Sequence, residues 1–245
     1  MSNLNITSTD KPRRRRTRYW RTRHAQTGAQ HALRQPVWLF DLDNTLHNAS
    51  RHAFPVIDAA MAAHVAQALG LDAAAAKALC MDYWDRYGAT LSGLIRHHPH
   101  IRPQDFLHAT HPLAELTAHV YPMRGLQRTL ARLPGRKILF TNGPHHYGAA
   151  LAEALGIARY FEAIHGIDDG GYIPKPQTQA FLRLLKRFRL NPRRCVMVED
   201  SLANLETARK LGMRTVWLRP GWHGHGAVDV GVRELKGVAT VWRNR

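Results

Sequence analysis

Val37-Trp38-Leu39-Phe40-Asp41-Leu42-Asp43-Asn44-Thr45-Leu46 joins four apolar, β-prone residues to two carboxylates, an amide and a hydroxyl. An uninterrupted apolar run of this length, cut off by polar residues, has the pattern of a strand buried on both faces of a parallel sheet. In open α/β sheets ligands bind beyond the carboxyl ends of the strands, where this run delivers Asp41 and Asp43. Asp41 is therefore a candidate metal-bound nucleophile. Taken alone, the pair has a plainer explanation as an Asx-type turn that closes a strand.

Downstream, apolar runs alternate with helical periodicity. The pattern predicts a helix over 124–133, a strand over 137–141, a helix over 146–155 and a short strand over 162–166. A helix over 177–189, a strand over 195–199, a helix over 202–211 and a strand over 214–218 follow. Strands alternating with helices imply right-handed crossovers and an α/β fold, a Rossmann-like parallel sheet with helices on both faces. Gly156 and Gly212 stand where helices end.

Between residues 47 and 119 this pattern is interrupted by an all-α block. Helices are predicted over 57–69 and 73–87, with Gly70 and Gly88 as stops and Asp72 as the N-cap of the second, and again over 103–110 and 113–118. The expected organisation is a tail at 1–35, an α/β core at 36–46 and 120–245, and a helical insertion at 47–119.

Of the chain's net charge of +17, +8 lies in residues 1–36, where nine Lys and Arg face Asp10 alone. This Arg-rich segment lacks apolar periodicity and is expected to be disordered, its charge solvated. Contact of residues 13–23 with nucleic acid is the less favoured alternative. No apolar stretch reaches the roughly 18 residues of a membrane span. The two cysteines, Cys80 and Cys195, form no disulfide framework or zinc spacing, and a soluble, cytoplasmic protein is expected.

Three further strand ends or loops carry polar groups. Thr141-Asn142-Gly143 offers a hydroxyl, an amide and a backbone N–H suited to holding an oxyanion. Glu199-Asp200 supplies the hard oxygen ligands that Mg²⁺ prefers. Lys175, ahead of a predicted helix, adds a fixed cation. Singly these are a strand-to-helix turn, a pair of acids complementing a helix dipole and a solvated lysine. In this order, each at a strand end or in the loop after one, they describe a phosphoryl-transfer site.

Asp41-Leu42-Asp43-Asn44-Thr45, Thr141, Lys175 and Glu199-Asp200 together resemble the four motifs of the haloacid dehalogenase-like hydrolase superfamily, over residues 37 to about 221. The resemblance implies a helical cap in the insertion at 47–119 and Asp41 as a nucleophile that forms an aspartyl-phosphate. It implies Asp43 as acid and base, Thr141 and Lys175 as phosphate-binding residues, beside which the Asn142 amide would also bind phosphate, and Mg²⁺ held by Asp41, the Asp43 carbonyl and Asp200, with Glu199 acting on it through water. A carboxylate at Asp43 suits a phosphate ester, whose alkoxide needs a proton, better than a halide, which does not.

The insertion string from Asp82 to Leu94, followed by His97, is similar to the cap of the pyrimidine 5′-nucleotidase branch, as are Asn44, His111 and the segment 200–205. That likeness implies UMP or CMP as substrate, with Tyr87 and His97 as possible specificity residues of the cap. Another small phosphorylated metabolite, such as a sugar phosphate, is the alternative. Tyr83, Trp84 and Tyr87, at helical spacing, also suit packing within the cap, which is the expectation for at least two of them.

Overall fold

The computed structural model describes residues 35–221 and 224–239. Apart from Gln35, the tail expected over residues 1–35 lies outside the described residues, as does the nucleic-acid contact considered for residues 13–23. Strands β1 (Val37–Phe40), β2 (Arg136–Phe140), β3 (Ala163–His165), β4 (Cys195–Glu199), β5 (Arg214–Leu218) and β6 (Val230–Val232) form one sheet in the order β3-β2-β1-β4-β5-β6. All neighbours are parallel. Helices α1 (Ala53–Leu69), α2 (Ala73–Tyr87), α3 (Thr90–His97), α4 (Pro103–Thr110) and α5 (Leu113–Ala118) fill the stretch between β1 and β2. Helices α6 (Leu126–Arg132), α7 (His145–Ala154), α8 (Thr178–Arg187) and α9 (Leu202–Lys210) flank the sheet.

Two-residue periodicity sends Trp38 and Phe40 of β1 to one face, with Leu130 of α6 and Leu151 of α7. Val37 and Leu39 go to the other, with Phe181 of α8 and Leu205 of α9. The central strand is buried on both sides, which is why its sequence is continuously apolar rather than alternating. The expected α/β elements form within two residues of their expected ends.

The helical block has its own apolar cluster, built on Val65, Ala76, Cys80, Tyr83, Leu91, Leu94 and Phe106, with Ile167 entering from the loop after β3. Its outer parts, Ala53, Ile57 and Leu116, belong instead to the sheet-side core. Asp72 caps α2 by accepting a hydrogen bond from the Ala75 N–H at 2.8 Å. Gly70 and Gly88 end α1 and α2 in left-handed backbone, φ 64° and 77°.

Helix α1 starts four residues before its expected start at residue 57, and α3 and β6 were not expected at all. Gly93 lowers the helical propensity of α3, yet it is required there. A Cβ at residue 93 would sit 2.2 Å from Cγ of Tyr83, so the close approach of α3 to α2 rests on a missing side chain. β6 is a three-residue edge strand containing Gly231, too short for its periodicity to register.

Two connections join block and sheet, and they run side by side. The Asn48 N–H donates to the Tyr121 carbonyl at 2.8 Å and the Met123 N–H to the Leu46 carbonyl at 2.9 Å. Between them His47 forms isolated bridges with both Asp43 and Pro122.

Candidate active site

β1 lies between β2 and β4, so the chain runs to one side of it through β2 and β3 and then returns on its other side. At such a switch point the crossover connections diverge and open a crevice beyond the strand's carboxyl end. Asp41 stands there, only 6% exposed, its N–H bonded to the Val198 carbonyl of β4 at 3.0 Å. Thr141 follows β2 directly, Asp200 follows Glu199 at the end of β4, and Lys175 enters from the loop before α8.

Lys175 is the hub of the cluster. Its Nζ donates to Asp41 Oδ1 at 2.7 Å, to Glu199 Oε2 at 2.9 Å and to the Phe140 carbonyl at 2.9 Å. The remaining capacity of Glu199 is also taken: Oε2 accepts from Asn204 Nδ2 at 3.0 Å and Oε1 from the N–H groups of Asp200 and Ser201, each at 3.2 Å. Asn142 turns its side chain to the Lys175 peptide, accepting from its N–H at 2.8 Å and donating to its carbonyl at 3.0 Å. Thr141 Oγ1 accepts the Gly143 N–H at 2.9 Å, which leaves the hydroxyl hydrogen available to a ligand.

Carboxylate atoms of Asp41, Glu199 and Asp200 all lie within 4.8 Å of one another. Burial, and then the neighbouring Glu199, push the Asp41 carboxyl up to about 7, against the lowering pull of Lys175. Burial also raises Glu199, and burial followed by Asp41 raises Asp200. Burial alone would lower Lys175, but Asp41 and Glu199 hold it above the ordinary lysine range. One lysine does not neutralise three withdrawn carboxylates, and the surplus of hard oxygen donors suits a divalent cation of the Mg²⁺ type.

A family model for haloacid dehalogenase-like hydrolases matches residues 37–212, which takes in all four strand-end motifs. The chain belongs to this family. Among curated relatives, a phosphoglycolate phosphatase of Escherichia coli is 34% identical over 92 residues, 38% of this chain and 36% of that protein. The chain thus aligns with little more than a third of that relative's length. Among solved structures, a HAD phosphatase from Thermococcus onnurineus superposes with TM-score 0.62 at 21% identity, over 85% of this chain and 98% of that one. The HAD-hydrolase YfnB of Bacillus subtilis, bound to magnesium, gives TM-score 0.55 at 16% identity, over 85% and 98%. These likenesses establish the fold.

Within this haloacid dehalogenase-like core, Asp43 is not among the acceptors of Lys175 Nζ. Its Oδ1 accepts from Tyr147 Oη at 2.6 Å and lies 2.9 Å from His47 Nε2. Neither His47 nor Tyr147 was expected at the site. Both lie next to expected features, His47 four residues beyond Asp43 and Tyr147 in the helix opened by Thr141-Asn142-Gly143, but an isolated histidine or tyrosine carries no motif. Asn204 is a third residue not anticipated.

In the helical block, Tyr83 is buried, with its Oη 2.8 Å from His98 Nε2, whereas Trp84 stands 63% exposed. Tyr87 packs partly on the block's core and pairs its Oη with His97 Nε2 at 2.7 Å. A cleft of about 550 Å³ is lined by Tyr87, Arg86, Ser92, Ile95, Arg96 and Gln177. Gln177 lies next but one to Lys175, so this cleft brings the block together with the core.

Proposed function

We propose that this protein is a Mg²⁺-dependent phosphomonoester hydrolase that works through an aspartyl-phosphate on Asp41. The observation that carries this reading is the junction at Lys175, which ties Asp41 to Glu199 beside Asp200, beyond the sheet's central strand. Asp41, Asp200 and the main-chain carbonyl of Asp43 would hold the ion. The oxygens of Glu199 are already engaged, which suits a role behind Asp200 and Lys175 rather than as a direct ligand. When bound, Mg²⁺ offsets the repulsion between a carboxylate and an anionic ester.

Asp41 then forms a bond to phosphorus as the ester P–O bond breaks, and Asp43 gives its proton to the departing oxygen. Asp43, now ionised, takes a proton from the water that attacks the aspartyl-phosphate, releasing orthophosphate and restoring Asp41. The Thr141 hydroxyl would donate to a phosphoryl oxygen as charge builds on it, and the Lys175 ammonium, its three N–H groups given to Asp41, Glu199 and the Phe140 carbonyl, would act through its charge. Asn142 serves by fixing the Lys175 backbone.

The helical block acts as the cap that selects the alcohol portion of a small phosphorylated metabolite. Its likeness to the pyrimidine 5′-nucleotidase branch favours UMP or CMP, with the Tyr87–His97 pair as the contact. The phosphoglycolate phosphatase relatives favour a small phosphorylated acid or sugar instead. Two buried free thiols suit a reducing cytoplasm.

Phosphate release from a panel holding UMP, CMP, phosphoglycolate and sugar phosphates, with and without Mg²⁺, tests the reading. Mg²⁺-dependent release with preference for the pyrimidine nucleotides is expected. Preference for phosphoglycolate or a phosphosugar removes the nucleotidase claim, and no release from any ester removes the phosphatase.

A further inference from the structure

Asp43 has two tasks in the reaction proposed above, and both need one of its oxygens to carry and then recover a proton facing the substrate. What fixes the other oxygen is a pair of side chains outside the four motifs. Tyr147 Oη donates to Oδ1 at 2.6 Å, and His47 Nε2 lies 2.9 Å from the same atom, as a donor in the tautomer with hydrogen on Nε2. Oδ2 takes no protein hydrogen bond among the described residues. Tyr147 and His47 are both buried, at 0% and 2% exposure, and their polar atoms are 3.5 Å apart.

Each donor is itself held. The Tyr147 ring lies against Gly143, where a Cβ would stand 2.6 Å from Cδ1, and the His111 ring of the helical block packs on it with centroids 5.2 Å apart. His47 sits in the double connection between sheet and block, bridged to Asp43 on one side and Pro122 on the other.

We propose that Tyr147 and His47 are positioning residues that fill Oδ1 of Asp43 and thereby confine its working proton to Oδ2. This rests on the phosphatase reading.

A leaving-group comparison tests the assignment. p-Nitrophenyl phosphate releases a phenolate that needs little protonation, whereas glycerol phosphate releases an alkoxide that must be protonated. With Mg²⁺ present, Tyr147→Phe is expected to lower kcat/KM, which reports the steps up to phosphorylation of Asp41 and not the water step common to both esters, at least about tenfold on glycerol phosphate and less than about threefold on p-nitrophenyl phosphate. His47→Ala should behave alike, and His47→Gln, which keeps a donor, should recover most of the loss. Equal losses on the two esters, or none, overturn the proposal.

Crystal structures of the wild type and Tyr147→Phe give a readout independent of turnover. Asp43 is expected to leave its single rotamer in the variant, and an unmoved carboxyl overturns the proposal. If the wild type releases phosphate from neither ester nor from any member of the panel above, the phosphatase reading fails and these structures still decide the role of Tyr147.

Discussion

The charged groups at the strand ends and those on the helical block live in opposite environments. The side chains of Lys175, Asp41 and Glu199 are 1%, 9% and 1% exposed, whereas the Arg86–Asp82 pair of α2 is 59% and 40% exposed and the Arg102–Asp105 pair 79% and 53%. Ions withdrawn from water persist only if each is paired and hydrogen-bonded, and losing one partner strands the rest. Exposed pairs are screened and contribute little. The floor of the site is thus committed to one arrangement of charge, while the block above it can exchange surface residues with little penalty. In the proposed enzyme, catalysis and specificity are divided along the same line.

Lys175→Met should produce the largest effect. It leaves Asp41 and Glu199 uncompensated and should destabilise the protein by about 3–5 kcal/mol at pH 8 in urea unfolding. Arg86→Ala should change stability by less than about 0.5 kcal/mol. Equal losses would break the comparison. The Lys175→Met penalty should shrink in acid, because a protonated Asp41 no longer needs a counter-ion.

Metal binding sharpens the same contrast. The native Asp41 carboxyl, raised to about 7, retains its proton where the unfolded chain has lost it. Its contribution to stability is fully present in acid and is lost as pH rises through 7. A cation competes with that proton. Mg²⁺ at a hundredfold excess over its Kd should stabilise the fold by about 2.7 kcal/mol, read as a rise in Tm. The rise should be larger at pH 8 than at pH 6 and should largely vanish in Asp200→Asn.

A smaller effect is expected from Gly93→Ala, which forces a methyl group against the Tyr83 ring. Overpacking should destabilise by about 1–3 kcal/mol. If the block has a core of its own, hydrogen exchange should accelerate in α2 and α3 while β1 and β4 stay protected. Smallest is Tyr87→Phe, which breaks the bond to His97. A shift in KM for the preferred metabolite, with kcat on p-nitrophenyl phosphate unchanged, would place Tyr87 in recognition. No shift would return it to packing.

What the sequence discloses follows the same division. β1 and β4 are legible because burial on both faces writes a continuous apolar run, and the residues at their ends are legible because carboxylates rarely follow such a run without a use. α3 is hidden because Gly93 answers to Tyr83, a residue of another helix, and not to local propensity. His47 and Tyr147 are hidden for a related reason: they reach Asp43 from 4 and 104 residues away, and only the folded chain brings them to the same oxygen. The bonds of Asn142 and Glu199 to Lys175 are hidden in the same way, because they join residues 33 and 24 positions apart.

Asp41→Asn, assayed for Mg²⁺-dependent phosphate release and for thermal unfolding on the same preparation, tests the central claim most directly. Removing the nucleophile should lower kcat by at least about 10³-fold. Removing a buried carboxylate repelled by Glu199 should leave Tm in metal-free buffer at pH 8 undiminished. A variant that folds with an unaltered Tm and turns over at the wild-type kcat would contradict Asp41 as the residue that attacks phosphorus.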